Sequence, residues 1–345
     1  MTTWMLYGAN GYTGRLIIDV AKRRGLKPVL AGRNKAELEA LAAEYDLECR
    51  VFPIEAMQQN LEGISSVLLA AGPFVHTSAI VAEACIAKGI HYLDITGEIS
   101  VYEALHTQDA AARAAGCVLL PGVGFDVVPS DCLAASLAEA MPDAIALELA
   151  FSGGQLSKGT TKTMLAHVGS GGAIREDGII KTVPLAYHTK TITFHDKTRQ
   201  CMTIPWGDVS TAFRSTGIGT IRVYSSANKA AVRQMKIMRH VAPLLDNRFV
   251  QKQLGRLIDA KVKGPGASAR AAGKAEFWGL VRNADGTTLE GTLTTTEGYS
   301  LTAECAVTSV ERIGTVDPGF KTPSLAFGAA YITEFEGCTL RIPTL

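Results

Sequence analysis

The opening of the chain constrains its fold more than any other stretch. Four apolar residues, Trp4-Met5-Leu6-Tyr7, run straight into Gly8-Ala9-Asn10-Gly11-Tyr12-Thr13-Gly14, and an amphipathic helix follows. Glycines at such a junction let the backbone turn tightly and approach a pyrophosphate, whose charge then rests on the positive end of the helix. The spacing is Gly-x-x-Gly-x-x-Gly, with Ala9 where the commoner fingerprint has its first glycine. The pattern alone is weak, and its context strengthens it. The helix through Arg15–Ala21 stops near Gly25, and Lys27–Ala31 reads as a second strand. That makes strand, loop, helix and strand in about thirty residues, as a mononucleotide-binding unit requires.

The second strand ends in Gly32-Arg33-Asn34. Arginine thus holds the place where NAD-binding chains usually carry an acid for the ribose hydroxyls. A guanidinium pairs bidentately with a 2′-phosphate that a carboxylate would repel, so NADP(H) is the expected cofactor. The plainer alternative makes Arg33 a solvated residue before a helix capped by Asn34 and Glu37.

Helices and strands keep alternating. Helices are expected over Ala36–Tyr45 and Ser78–Lys88, with another opening on a Ser100…Glu103 capping box; strands are expected around Arg50–Ile54, Val67–Ala71, His91–Ile95 and Cys117–Leu120. This predicts an α/β fold, an N-terminal Rossmann doubly wound parallel sheet over residues 1–129. Its ligand belongs beyond the carboxyl ends of the strands. Three distinctive loops end strands there: Ala71-Gly72-Pro73-Phe74, Thr96-Gly97-Glu98 and Pro121–Asp126.

From about Ser130 the pattern changes to alternating, threonine-rich segments. They predict a second, mixed α+β substrate and dimerisation domain over 130–318, with strands at Ala144–Phe151, Tyr187–Phe194 and Thr220–Tyr224 and a Lys274–Arg282/Thr287–Thr294 hairpin. A helix over Ala230–Ile258 carries the stripe Val232, Met235, Met238, Val241, Leu244 and Leu245, read as core or dimer interface. A closing helix, Pro323–Ile332, falls in a segment, 319–345, expected to return to the first domain.

At 345 residues, 47% hydrophobic and 19% charged, the chain has ordinary globular composition, and its net charge of +1 carries no nucleic-acid footprint. No apolar run approaches a membrane span, and the first strand starts too close to Met1 to leave room for a signal peptide, so a cytoplasmic location is expected. The seven cysteines form no C-x-x-C pair, and neither the histidines in general nor His188 with His195 have metal-ligand spacing, so no metal is expected.

As an ordered set, Tyr7–Gly14, Ala31–Asn34, Gly72–Phe74, Tyr92–Glu98, Gly124–Asp131, Gly153-Gly154 with Ser157, Gly159 and Thr160, and Thr322-Pro323 with Ala326–Gly328 resemble the saccharopine dehydrogenase-like (saccharopine reductase-type) family, including its trans-acting enoyl reductase branch. The resemblance implies a two-domain NADP(H)-dependent reductase, often a homodimer, in which nicotinamide and substrate meet between domains. The substrate is then a small molecule or a thioester-bound chain. The Gly-Phe-Asp-x-x-Pro-Ser-Asp segment is more similar to the enoyl-reductase and uncharacterised branches than to the lysine-biosynthetic enzyme.

Hydride transfer needs an oriented nicotinamide, a dry site and a proton or charge-stabilising group opposite. The Tyr-x-x-x-Lys pair of short-chain dehydrogenases is missing. Asp94, ending a buried strand, and Glu98 just beyond it are candidate acids, or ligands for a substrate ammonium or ribose hydroxyl; equally, Asp94 can cap the Thr96-Gly97 turn. Asp126 can bind substrate, orient a proton donor, or cap the helix beginning near Ser130. His76 can donate a proton or be plain surface. In the second domain, amides around Gly154, with Lys158 or Lys162, can hold an anion, or simply start a helix. Arg175 and Arg214 are candidate carboxylate clamps for an amino-acid-derived imine.

Overall fold

The computed structural model describes residues 3–153, 161, 171–195, 197–245 and 264–343. The chain divides into two compact units: Met1–Val128 with Tyr299–Gly328, and Pro129–Gly298 with Ala329–Leu345.

In the first unit, β1 (Trp4–Tyr7), β2 (Val29–Gly32), β3 (Cys49–Val51), β4 (Ser66–Leu69), β5 (His91–Asp94) and β6 (Val118–Leu120) are joined by a return strand, Gly319–Phe320. All pair in parallel, in the spatial order return strand-β6-β5-β4-β1-β2-β3. The order reverses between β1 and β4, which puts the topological switch point at the glycine loop. Strand alternation sorts the core into two layers. Met5, Tyr7, Val67, Leu69 and Tyr92 pack on the side of α3 (Ser78–Lys88), α4 (Ile99–His106) and α5 (Asp109–Ala114). Trp4, Leu6, Leu30, Leu68 and Leu93 pack on the side of α1 (Tyr12–Arg23) and α2 (Lys35–Tyr45). A return helix, Gly298–Arg312, joins that second layer through Ala303, Ala306, Val307 and Val310. The doubly wound sheet read from the sequence is present, and this helix, which the sequence reading left out, completes its covering.

The second unit is a mixed sheet of nine strands among the described residues. They are β7 (Ala144–Ser152), β8 (Gly172–Glu176), β9 (Ile179–Val183), β10 (Thr189–Phe194), β11 (Lys197–Thr203), β12 (Thr220–Ser226), β13 (Lys274–Asn283), β14 (Thr288–Thr296) and a final strand Thr339–Arg341. β12 and β7 run parallel, and the remaining pairs are antiparallel. Helix α6 (Val128–Ala140) lies on β13 and β14 where Gly279 faces Gly291. A Cβ at Gly279 would stand 2.6 Å from Leu137 Cδ1, so the glycine pair forms the trough that Leu133 and Leu137 fill. Among the described residues the unit also holds helices α7 (Asp208–Thr216), α8 (Lys229–Leu245) and α9 (Ala267–Ala272).

Several local expectations change. The return to the first unit begins at Tyr299, earlier than 319, and residues from Ala329 onward lie in the second unit. Pro323–Ile332 is not one helix: Gly328, at φ +89°, separates Pro323–Phe327 from a 3₁₀ segment, Ala329–Glu334. No capping box forms at Ser100, because α4 starts at Ile99 with Glu98 as N-cap and its carboxylate is engaged elsewhere. Helix α6 starts at Val128 and takes Ser130 inside, where its hydroxyl donates to Asp208 Oδ2 at 2.8 Å. The expected stripe residues Val241, Leu244 and Leu245 and the stretch to Ile258 lie outside the described side chains.

Candidate active site

At the carboxyl end of β1 the loop is built by close approach. Gly8 adopts φ +94°, its amide donates to Ala31 O at 2.9 Å, and a Cβ there would sit 2.8 Å from Ala70 C. Ala9 needs no positive φ and buries its methyl completely, which explains why alanine is tolerated at that position. Gly11 is the N-cap of α1 and makes no side-chain cap bond, so the cap position itself brings no side chain to the start of the helix. A Cβ on Gly14 would fall 2.5 Å from Gly8 O. These features fit a dinucleotide pyrophosphate laid against bare backbone.

Asn10 reaches from this loop to α2, its Nδ2 donating to Glu37 Oε2 at 2.6 Å. Arg33 follows β2 directly, exposed and in no ion pair among the described residues. Asn34 is the N-cap of α2, with Oδ1 accepting from Glu37 N at a long 3.5 Å. Capping by Asn34 therefore coexists with an Arg33 whose guanidinium remains available.

Beyond β4, Ala71-Gly72-Pro73-Phe74 turns through a cis Gly72-Pro73 bond. Ala71 O accepts from Thr77 Oγ1 at 2.9 Å, and Phe74 is buried. Glu98 clamps this loop from the next strand end, accepting from Phe74 N at 2.7 Å and Val75 N at 2.8 Å. His76 stands exposed at the end of the 3₁₀ turn that follows.

Asp94 is fully buried at the end of β5. Its Oδ1 accepts from Thr96 N and Gly122 N, both at 2.9 Å, and its Oδ2 accepts from Tyr92 OH at 2.5 Å. Burial pushes its pKa up to about 6, against the opposing pull of those three donors. Asp94 thereby ties the β5 turn to the β6 loop. Asp126 lies at the end of that loop, its carboxyl packed so closely on Gly97 that a Cβ there would be 2.5 Å from Oδ2. Phe125 N donates to Thr302 Oγ1 of the return helix at 2.9 Å, and Tyr12 meets the ring of Tyr299 edge-on at 5.1 Å.

The first unit thus gathers the glycine loop, Arg33, Ala71–Phe74, Asp94, Glu98 and Asp126 at the carboxyl ends of five neighbouring strands. Sequence reasoning missed Asn10's tie to Glu37 and the contributions of Tyr299 and Thr302, which come from a helix with no motif to announce it.

In the second unit Arg175 is buried, donating from Nε to Val209 O at 2.8 Å and from Nη1 to Gly178 O at 2.6 Å, with its guanidinium 4.3 Å from the Phe213 ring centroid. Arg214 stands 5.5 Å from the same ring. Gly154, Lys158 and Lys162 lie outside the described residues. Among the described residues no helix is long and apolar enough to cross a membrane, and no group of three or more His, Cys, Asp or Glu could hold a metal ion.

Residues 4–120 match the family described as saccharopine dehydrogenase NADP binding domain. Trans-acting enoyl reductases are similar to part of the chain. That of Mycobacterium leprae is 31% identical over 140 residues, covering 37% of this chain and 33% of that protein. That of Mycobacterium tuberculosis (strain H37Rv) is 28% identical over 141 residues, with the same coverage. The chain spans less than half the length of the curated relatives it matches. Over 99% of its length it also shares the fold of the apo saccharopine dehydrogenase (L-Glu forming) from Saccharomyces cerevisiae, covering 100% of that chain at a TM-score of 0.66 and 12% identity. The motif-based resemblance and the NADP assignment stand. Over residues 4–120 the chain therefore carries the match to the saccharopine dehydrogenase NADP binding domain, and over nearly its whole length it shares the fold of the yeast enzyme.

Proposed function

We propose that this protein is an NADPH-dependent reductase that delivers hydride to an activated C=C bond, with the C=N bond of an amino-acid-derived imine as the second reading. The observation that carries the proposal is the convergence, along one sheet edge, of a glycine loop built by close backbone approach, an exposed Arg33 in no ion pair among the described residues and the Asp126 carboxyl. Gly8–Gly14 holds the pyrophosphate and Arg33 takes the 2′-phosphate. Ala71–Phe74, braced by Glu98, shapes the wall beside the nicotinamide, which supplies the hydride when bound. Asp94, committed to three donors, orients the turn that carries Gly97 against Asp126, and Asp126 handles the proton.

Two observations favour C=C over C=N. The relatives that match are named enoyl reductases. Arg175, one of the two candidate carboxylate clamps, spends two nitrogens on backbone carbonyls. The same reading includes a homodimer in the cytoplasm, and sedimentation of the purified protein checks its oligomeric part.

The test is fluorescence titration with NADPH and NADH, followed by loss of nicotinamide absorbance with a panel of enoyl thioesters and amino-acid/keto-acid mixtures. NADPH preference with oxidation by an enoyl thioester is expected. Oxidation only by the mixtures moves the assignment to imines, and tight binding with no oxidation favours a non-catalytic NADP(H)-binding scaffold. Arg33→Glu is expected to lower the NADPH/NADH affinity ratio about 10- to 100-fold; an unchanged ratio sinks the 2′-phosphate assignment.

A further inference from the structure

We propose that helix α8, with the threonine-rich sheet face beside it, is a docking groove for an acidic helix of a partner protein. The proposal does not depend on the reductase reading.

A groove of about 570 Å³ runs between α8 and strands β10 and β11, lined by Lys229, Val232, Arg233 and Lys236 on one wall and Thr189 and Gln200 on the other. On an α-helix, residues at i, i+4 and i+7 share a face, so Lys229, Arg233 and Lys236 form a cationic rail about 10 Å long. None of the three is in an ion pair among the described residues, and helix α8 contains no acid at all. Two cations on the neighbouring strands behave differently: Lys190 is paired with Glu148, and Arg199 with Glu276. Like charges stacked at i,i+4 destabilise a helix in isolation, and a complementary anion relieves that repulsion.

The imbalance reaches beyond the groove. Between residues 229 and 263 the sequence carries nine Lys and Arg against Asp246 and Asp259, while the whole chain balances 34 cations against 33 acids. One segment therefore holds a positive excess that the rest of the chain offsets. A local charge excess of this sign steers an anionic partner.

The shape selects among anions. A lone phosphate or carboxylate meets one or two members of the rail, whereas acids at i, i+4 and i+7 of a facing helix meet all three. Val232 and the exposed Ile237 flank the cations and give the apolar contact that a helix's own side chains cover. A flat bilayer would not reach the Thr189 and Gln200 wall of a concave groove.

The test uses the full chain and a fluorescein-labelled synthetic peptide of Ala and Gln with Glu repeated at i, i+4 and i+7, read by fluorescence anisotropy. Binding that weakens steeply with salt is expected. R233E/K236E is expected to weaken it by about tenfold or more and R233Q/K236Q by an intermediate factor, each with an unchanged circular dichroism spectrum and NADPH titration. If the charge-reversed variant misfolds, the glutamine pair carries the comparison. The proposal is overturned by equal affinity for the same peptide interrupted with proline, or by absence of peptide binding at low salt. Tighter, substitution-sensitive binding to phosphatidylglycerol vesicles or inorganic triphosphate than to the peptide also overturns it.

Discussion

Gly14 carries no side chain because the first turn of α1 closes directly on the loop, with Gly8 O and Ala9 O at 2.5 and 2.6 Å from where a Cβ would be. Gly14→Ala must push that loop away from the position it needs for a pyrophosphate. The substitution is expected to cost about 2 kcal/mol of stability in urea unfolding and to weaken NADPH binding by more than its effect on folding explains. Asp94 makes a pH-dependent contribution whose sign follows from its raised pKa. The folded state keeps the Asp94 proton up to about pH 6, whereas the unfolded chain releases it near the ordinary aspartate value of 3.8. Its stabilising contribution is complete below the unfolded value and is lost as pH rises through the folded one, by about 3 kcal/mol at most. Asp208, pushed upward by burial, adds in the same direction. Comparing denaturation midpoints of the wild type and Asp94→Asn at either end of that window isolates the Asp94 share; parallel pH profiles for the two proteins would rule it out.

Among the elements, the return helix Gly298–Arg312 does the most for the candidate site with the least warning. It supplies the acceptor for Phe125 N through Thr302 and the ring that meets Tyr12 through Tyr299. Thr302→Val keeps the shape and removes the acceptor, so it is expected to cost about 1–2 kcal/mol and to speed amide exchange at Phe125. Its sequence hides it: Thr302, Thr308 and Ser309 are buried beside Ala303, Ala306 and Val307, so apolar and polar residues do not separate into the stripe that marks a surface helix. By contrast β1, β4 and β5 were legible, because strands covered on both faces read as short apolar runs bounded by glycine and polar turns. The glycine loop and Arg33 were legible for the same local reason. The Thr96 amide on Asp94 was legible as the turn cap, but the Gly122 amide on Asp94 and the two amides on Glu98 were not, since those donors come from other loops and only the fold brings them together. Strands β8, β9 and β11 escaped because their alternating polar residues resemble the loops around them.

At the scale of the whole molecule, the first unit is discontinuous along the chain, and its two pieces are bound by more than apolar packing. Arg24 donates to Glu304, Glu311 and Thr308, and Arg23 also pairs with Glu304, across roughly 280 residues of sequence. Residues 1–128 produced alone would lack Ala303, Ala306 and Val307 over one layer of the sheet. That fragment is expected to bind a hydrophobic dye and to melt well below the full chain; a compact, dye-silent fragment would contradict the packing described here. The same discontinuity sets a timetable for synthesis. The nucleotide-binding loop leaves the ribosome well before the helix that seals the layer beneath it, which is made only after the whole stretch Pro129–Gly298. At roughly 5–20 residues per second, that leaves an unsealed apolar layer exposed for on the order of ten seconds or more. The earlier-made half of this unit therefore matures only when its later half arrives, and its nascent chain is a natural client for chaperones that act during translation.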